Sequence, residues 1–282
     1  MGKKSGTRWP GILFGIILTA LFGAAALALT WKIADYLIDE RESLDYWGDL
    51  QSSVIIADTE QAQQDEKVEH WPVTDGQEQA VEDPGEETPF EGIAIPAAID
   101  FNILHAISDN AVAWIFSPDT VINYVIAQSK DNAYYLNHLL DGTAASGGSL
   151  FMDYRANAGF SDWNTVIYGH QMNNGTMFGS LSNYRDPAYY EQHPVMYLYV
   201  PGKRFTLELI AGYTTDIYDP AFDPAISREK RNALLARAVA RSTFQSGVTA
   251  GEEDRLVTLS TCAYDYNNAR YVVIGRLVED HQ

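Results

Sequence analysis

The chain has 282 residues, of which 46% are apolar, 12% aromatic and 20% charged, enough for one sizeable core or two small ones and too apolar for a disordered polypeptide. Its formal charge of −19 argues against a phosphate-neutralising surface, so no nucleic acid is expected as a partner. A single cysteine excludes an intrachain disulfide and a cysteine-rich metal knuckle, and six scattered histidines without zinc-type spacing give no reason to expect a metal site.

Residues 1–10 carry Lys3, Lys4 and Arg8 and lead into an uncharged run, GILFGIILTALFGAAALAL. As a helix this run would extend about 28 Å, close to the thickness of a hydrocarbon core, so residues 11–30 are expected to form a transmembrane anchor. Basic residues precede the run and acidic ones dominate the chain after it, which orients the N-terminus to the cytoplasm and the remainder outside. Trp9 and Trp31 bracket the span as interfacial anchors. Ala26-Leu27-Ala28 would also suit a cleaved signal peptide, but so long an apolar run favours an uncleaved anchor, and either reading exports the rest of the chain. Across residues 31–56, Ile33, Leu37, Leu44, Trp47, Leu50 and Val54 recur at helical intervals, predicting an amphipathic helix that packs on the domain or extends the anchor. Residues 57–95 are rich in Glu, Gln, Asp, Pro and Gly, and residues 51–99 hold twelve acidic side chains against one basic. Such a composition buries too little apolar surface to offset its ordering entropy and reads as a flexible acidic linker that sets reach from the membrane.

From residue 96 to 282 the pattern becomes one of short alternating segments. A helix is expected over 99–108, and alternation at Val112, Trp114 and Phe116, at Val195, Tyr197 and Tyr199, and at Phe205, Leu207 and Leu209 marks half-buried strands. Further strands are expected over 121–128, 164–169, 255–262 and 270–278, between turn clusters such as Asp141-Gly142, Asn173-Asn174-Gly175 and Pro201-Gly202. Residues 211–225 read as a loop, and a helix over about 225–241 comes next. The result is a mainly β domain, a barrel or sandwich.

The last two strands carry the most pointed chemistry. If RLVTLSTC and RYVVIGRL form a hairpin closed by AYDYNNA, Cys262 faces Arg270 across the ladder, and directly opposed residues project to the same side of the sheet. A thiol beside a guanidinium is a reactive arrangement, because cationic neighbours favour the nucleophilic thiolate. The plainer reading is a small buried hydrophobe, against which stands the strand-end position beside Ser260 and Thr261. A nucleophilic cysteine needs a proton carrier. His170 ends NTVIYGH before a glycine-containing loop, so its imidazole is expected at a barrel rim, whereas His105, His138 and His193 read as packed or hydrogen-bonded structural residues.

VIYGHQMNNGTMFGSL, TLSTC and the downstream Arg270 resemble the sortases, and together with SKDNAYYLNH, GSLFMDYR and HPVMYLYVPG they resemble class B in particular, over residues 98–278. The resemblance implies an eight-stranded sortase-type β-barrel with an N-terminal helical region and a helix before the last two strands. It implies a cysteine transpeptidase on the outer face of a Gram-positive-type membrane, with His170, Cys262 and Arg270 matching the catalytic residues and Ser260 a serine that lines the substrate groove. Its partners would be surface proteins bearing a sorting signal and an amine acceptor, either a peptidoglycan precursor or a pilin lysine, and no metal or cofactor would be required. Two departures stand out: Asn123-Tyr124-Val125 replaces the Asp-Tyr-Pro of many relatives, and the acidic linker is longer than usual. A secreted Cys-His hydrolase and a non-catalytic wall-binding module on an acidic stalk are the competing functions.

Overall fold

The chain's first long element runs through the expected boundary between anchor and amphipathic helix. In the computed structural model, which describes residues 9–57, 94–263 and 265–280, α1 is one helix, Trp9–Val54. The chain divides into two units between Tyr46 and Trp47. Within the first unit Phe14, Leu21, Phe22, Leu27 and Leu29 are exposed, and α1 is the one helix among the described residues long and apolar enough to be a membrane span or a signal sequence. Apolar side chains exposed around a helix suit a hydrocarbon environment better than water.

The second unit begins with the last turns of α1. Trp47, Leu50 and Val54 are spaced three and four residues apart, so they share one face, and all three are buried. The Trp47 ring meets Tyr124 edge-on at 5.5 Å, and Gln51 Nε2 donates to the Asn123 carbonyl at 2.7 Å. Asn123 Oδ1 in turn accepts from Trp114 Nε1 at 2.8 Å. Strand β1 (Ile55–Ile56) then pairs antiparallel with β2 (Ala98–Ile99), Ile55 opposite Ile99. The expected linker lies outside the described residues apart from its ends. The residues that flank it pair in this ladder, so its length adds nothing to the path from Trp47 to the barrel.

After α2 (Phe101–Ile107), eight strands close into a barrel: β3 (Ala111–Phe116), β4 (Asn123–Ala127), β5 (Leu150–Met152), β6 (Asn164–Tyr168), β7 (Val195–Val200), β8 (Lys203–Asp216), β9 (Arg255–Cys262) and β10 (Ala269–Glu279). Their order around the barrel is β10-β8-β7-β3-β4-β5-β6-β9, with parallel pairing between β4 and β5 and between β6 and β9. Two α-helices interrupt them, α3 (Pro187–Gln192) and α4 (Arg228–Arg241).

Three local expectations change. Strand β5 is absent from the alternation pattern because its three residues, Leu-Phe-Met, are buried on both faces and read as a plain apolar run. Residues 211–216 are strand, because β10 is long enough to keep pairing with β8 as far as Ala269 opposite Asp216. The loop is therefore confined to the residues after Asp216. Helix α4 starts at Arg228 rather than 225, where Ser227 Oγ caps it by accepting from Lys230 N. It packs Leu234 and Ala238 on Tyr213, Leu256, Val272 and Ile274. An eight-stranded barrel is filled by its own side chains, so this helix covers the outer face.

Asp153, wholly buried just after β5, ties strands to loops. It accepts from Arg155 Nε and Nη2, both at 2.9 Å, from Asn132 Nδ2 at 3.0 Å and from Tyr168 Oη at 3.1 Å. Burial alone would raise its pKa, but the hydrogen bonds from Arg155 and then Asn132 outweigh it and hold the carboxyl below its ordinary 3.8.

Truncating Trp47 to Ala should cost about 3 kcal/mol in urea unfolding of the domain, as removal of a buried ring usually does, and an unchanged midpoint would mean that the end of α1 is not part of the folded unit. Since the folded pKa of Asp153 is depressed, its contribution is present at neutral pH and lost as pH falls through that folded value. Asp153→Asn should therefore be less stable than wild type at pH 7, with the gap closing on acidification below 3.8; a gap independent of pH would show that the charge of Asp153 is immaterial.

Candidate active site

The register of three neighbouring strands brings the sequence candidates together. In the parallel β6–β9 ladder Tyr168 lies opposite Ser260, and Gly169 N continues it by donating to the Ser260 carbonyl at 3.1 Å. His170 and Cys262 each come two residues after that last pair, His170 just beyond the end of β6 and Cys262 at the end of β9. In the antiparallel β9–β10 ladder Cys262 pairs with Arg270, as the hairpin argument expects. His170, Cys262, Arg270 and Ser260 all line one cleft of about 810 Å³.

The strand ends that carry these residues also have a defined face. Arg270, Val272 and Ile274 alternate along one face of β10, opposite Cys262, Ser260 and Thr258 of β9. Val272 and Ile274 are the residues under α4, so the cleft lies on the outer face of the sheet, in line with the helix.

Gly169 explains how His170 reaches this position. A Cβ there would stand 2.4 Å from Leu150 Cδ2 and 2.7 Å from Phe178 Cδ2, so only glycine lets the chain pass between them. The His170 ring is oriented by the Leu136 carbonyl, 2.6 Å from Nε2. A carbonyl can only accept, so Nε2 carries the proton and Nδ1 is left for exchange at the cleft. The carbonyl is itself fixed: the turn Tyr134–Leu136 buries Tyr135, whose hydroxyl accepts from Asn110 Nδ2 at 2.8 Å.

Cys262 is a half-buried free thiol. Arg270 Nη1 donates to its neighbour's carbonyl, Ala269 O, at 2.9 Å, and makes no ion pair among the described residues. Ser260 Oγ and Thr261 Oγ1 are buried without a hydrogen-bond partner. An orphaned hydroxyl costs about 1–3 kcal/mol, and Ser260, on the face of Cys262, can recover it only from something in the cleft.

Phe151 and Tyr168, their rings 5.2 Å apart, join Ser260 in the floor, with Asn132 and Leu136 to one side. The opposite wall is the segment Ile217 to Phe222, which the sequence marks only as a loop. Its anchor is Asp219, buried and paired with Arg237 and Arg241 of α4. Asp219 also accepts from Thr215 Oγ1 at 2.5 Å, Tyr213 Oη at 3.2 Å and Ala221 N at 2.8 Å. Asn164 Nδ2 donates to the Ala221 carbonyl and Thr258 Oγ1 to Asn164 Oδ1, both at 2.8 Å, so the wall is bonded to the floor. Nothing in residue type or spacing signals that Asp219 would be buried opposite arginines 18 and 22 residues away.

Among the described residues, the domain's other histidines lie outside the cleft. His105 Nε2 contacts Ala111 O at 3.0 Å, His138 stacks on Tyr134 with ring centres 4.2 Å apart, and His193 ends α3.

The Sortase domain family model matches residues 116–278. Sortase B of Listeria monocytogenes is 38% identical over 182 residues, 62% of this chain and 72% of the relative. The crystal structure of sortase B from Bacillus anthracis in complex with AAEK1 superposes with a TM-score of 0.65 at 28% identity, covering 86% of this chain and 100% of its own. A Staphylococcus aureus sortase B–substrate complex superposes with a TM-score of 0.60 at 29% identity, covering 64% and 84%. With the family model matching more than half its length and this barrel topology, the chain belongs to the sortases, cysteine transpeptidases, and among them to class B.

Proposed function

We propose that this protein is a membrane-anchored sortase that cleaves a C-terminal sorting signal after threonine, holds the protein as a thioester on Cys262, and transfers it to an amine of a peptidoglycan precursor. The observation that carries this reading is the alignment of His170, Cys262 and Arg270 on three adjacent strand ends lining one cleft. Residues 11–30 anchor the chain with its N-terminus in the cytoplasm, and the barrel works outside.

In the first step the Cys262 thiolate attacks the threonine carbonyl, and Arg270 donates to the oxygen as it gains negative charge. The tetrahedral intermediate collapses, the C–N bond breaks, and His170, as imidazolium, gives its Nδ1 proton to the leaving amine. In the second step neutral Nδ1 takes a proton from the incoming amine, which attacks the thioester and expels Cys262 as thiolate. One amide bond is broken and one formed, and both catalytic groups return to their starting states. Ser260 Oγ donates to the backbone of the bound signal. A pilin lysine is the second acceptor this chemistry admits.

Water at about 55 M competes with any acceptor, so transfer needs the amine held close or water held off. The wall from Ile217 to Phe222, fastened by Asp219, is the element to which we assign that control.

Cys262→Ala should give no covalent adduct with a sorting-signal peptide in intact-mass spectra, while Arg270→Ala should form one about 10² to 10³ times more slowly. An adduct on Cys262→Ala would refute the nucleophile. With wild type, adding a peptidoglycan stem-peptide amine should yield a ligated product; hydrolysis alone would favour the Cys-His hydrolase, and ligation only to a pilin lysine peptide would move the acceptor to pilins. Asp219→Ala should free the wall and raise hydrolysis relative to transfer several-fold, and an unchanged product ratio would remove the wall from acceptor control.

A further inference from the structure

We propose that Arg185 and Asp265 are positioning residues for acyl transfer: their two-pronged ion pair fastens the loop between Cys262 and Arg270 to the segment that comes after His170. The proposal rests on the reading of those three residues as the catalytic set.

The loop at issue joins β9 to β10. Its base is closed by Ala263 N donating to Ala269 O at 3.0 Å and by Ala269 N donating to Tyr266 O at 3.1 Å, with Asn268 in the left-handed region at φ 62°. These bonds close the turn upon itself. They do not hold it against the rest of the domain, and Tyr266 in it is exposed. Cys262 and Arg270 are the last paired residues before this turn, so any tilt of the loop is transmitted first to the rung that carries both.

On the other side, the chain leaving His170 folds straight back. Phe178 N donates to the His170 carbonyl at 3.0 Å, Gln171 bridges Met177, and the chain enters the 3₁₀ turn Gly179–Arg185. Ser180, Leu181 and Tyr184 of this turn are buried, so Arg185 projects from a fixed base. Its Nη1 lies 2.9 Å from Asp265 Oδ1 and its Nη2 2.6 Å from Oδ2. A planar guanidinium gripping both oxygens of a planar carboxylate sets orientation as well as distance, which one point contact would not. The same guanidinium sits 4.8 Å from the centre of the Tyr271 ring, next in sequence to Arg270. Arg185 thus touches the chain on both sides of Arg270, from an element that begins nine residues after His170.

The hydrogen bonds from Arg185 hold the Asp265 carboxyl below its ordinary value, so the pair stays charged throughout the neutral range. Both side chains are about a third exposed, and ion pairs so exposed add little to stability. The cross-link can therefore matter to geometry without mattering much to folding, and that separates a positioning role from a structural one.

The test is a double-mutant cycle on Arg185→Ala and Asp265→Ala, reading kcat and KM for a sorting-signal peptide beside melting temperature, with Cys262→Ala in parallel. Each single variant should lose about tenfold in kcat with KM within about twofold and little change in melting temperature, and the double variant should be no worse than either single. Arg185→Lys, which keeps the charge but not the fork, should recover only part of the rate. Wild-type kcat in either single variant, a double variant reduced by the product of the two singles, or a rate loss matched by a fall in melting temperature would each overturn the proposal. An active Cys262→Ala protein would instead defeat the catalytic reading beneath it, so the two failures are distinguishable.

Discussion

Everything at this site depends on one parallel ladder. Strands β6 and β9 are separated by nearly ninety residues, yet their pairing from Asn164 opposite Leu256 to Tyr168 opposite Ser260 carries His170 and Cys262 into the same cleft. Because side chains alternate with a period of two, a slip of one residue would turn Cys262 away from the cleft while leaving His170 in place. The ladder is held in register by a side-chain bond as well as by its backbone: Thr258 Oγ1 donates to Asn164 Oδ1 across the two strands at 2.8 Å, in a buried setting where a mispaired hydroxyl and amide would be costly. Gly169 then lets the chain run on past Leu150 and Phe178 to His170.

Around that ladder the protein fixes its cleft with buried carboxylates. Asp153 and Asp219 occupy opposite sides, each almost wholly buried, each opposed by arginine and each accepting from backbone or hydroxyl donors. A buried carboxylate with only one of these partners would be a liability, since desolvation exceeds what a single ion pair returns. With all acceptor positions engaged it becomes a rigid junction for several segments. Arg155, bound to Asp153, also donates to the Phe222 carbonyl at 3.1 Å, so the two sides are joined through the wall itself. In a chain of net charge −19, cations are scarce, and several of them are spent on shaping this one region.

This division explains what is legible in the sequence. The facing of Cys262 and Arg270 can be read because a hairpin is local: two alternating runs and a short turn determine the pairing. The identity of the barrel rests on motifs spread across the whole domain. The β6–β9 pairing is not legible, because parallel strands far apart in sequence leave no mark on either strand alone, and so His170 can be placed at a strand end but not in the same cleft as Cys262. Strand β5 escapes notice since burial on both faces erases alternation, and the full length of β8 does so since Ala211 and Gly212 lack the β-branched side chains that advertise a strand. The roles of Asp153, Asp219 and Arg185 are hidden for the same reason: an acidic or basic residue in a loop looks solvated until its partner is known.

The N-terminal region shows the converse, where composition is clear and its consequence is not. The acidic character of residues 57–95 is plain in the sequence, and a spacer is the natural inference from a polar segment lying between an apolar helix and a folded domain. Yet Trp47, Leu50 and Val54 already belong to the domain, and Ile55 pairs with Ile99 on the far side of the acidic stretch. Two residues paired in a ladder stand about 5 Å apart whatever the length of chain between them. The path from Trp47 to the barrel is therefore fixed by a packed helix end and a short ladder, and the acidic segment is free to vary in length without moving the cleft relative to Trp47. Position between two elements in sequence does not make a segment the connection between them in space.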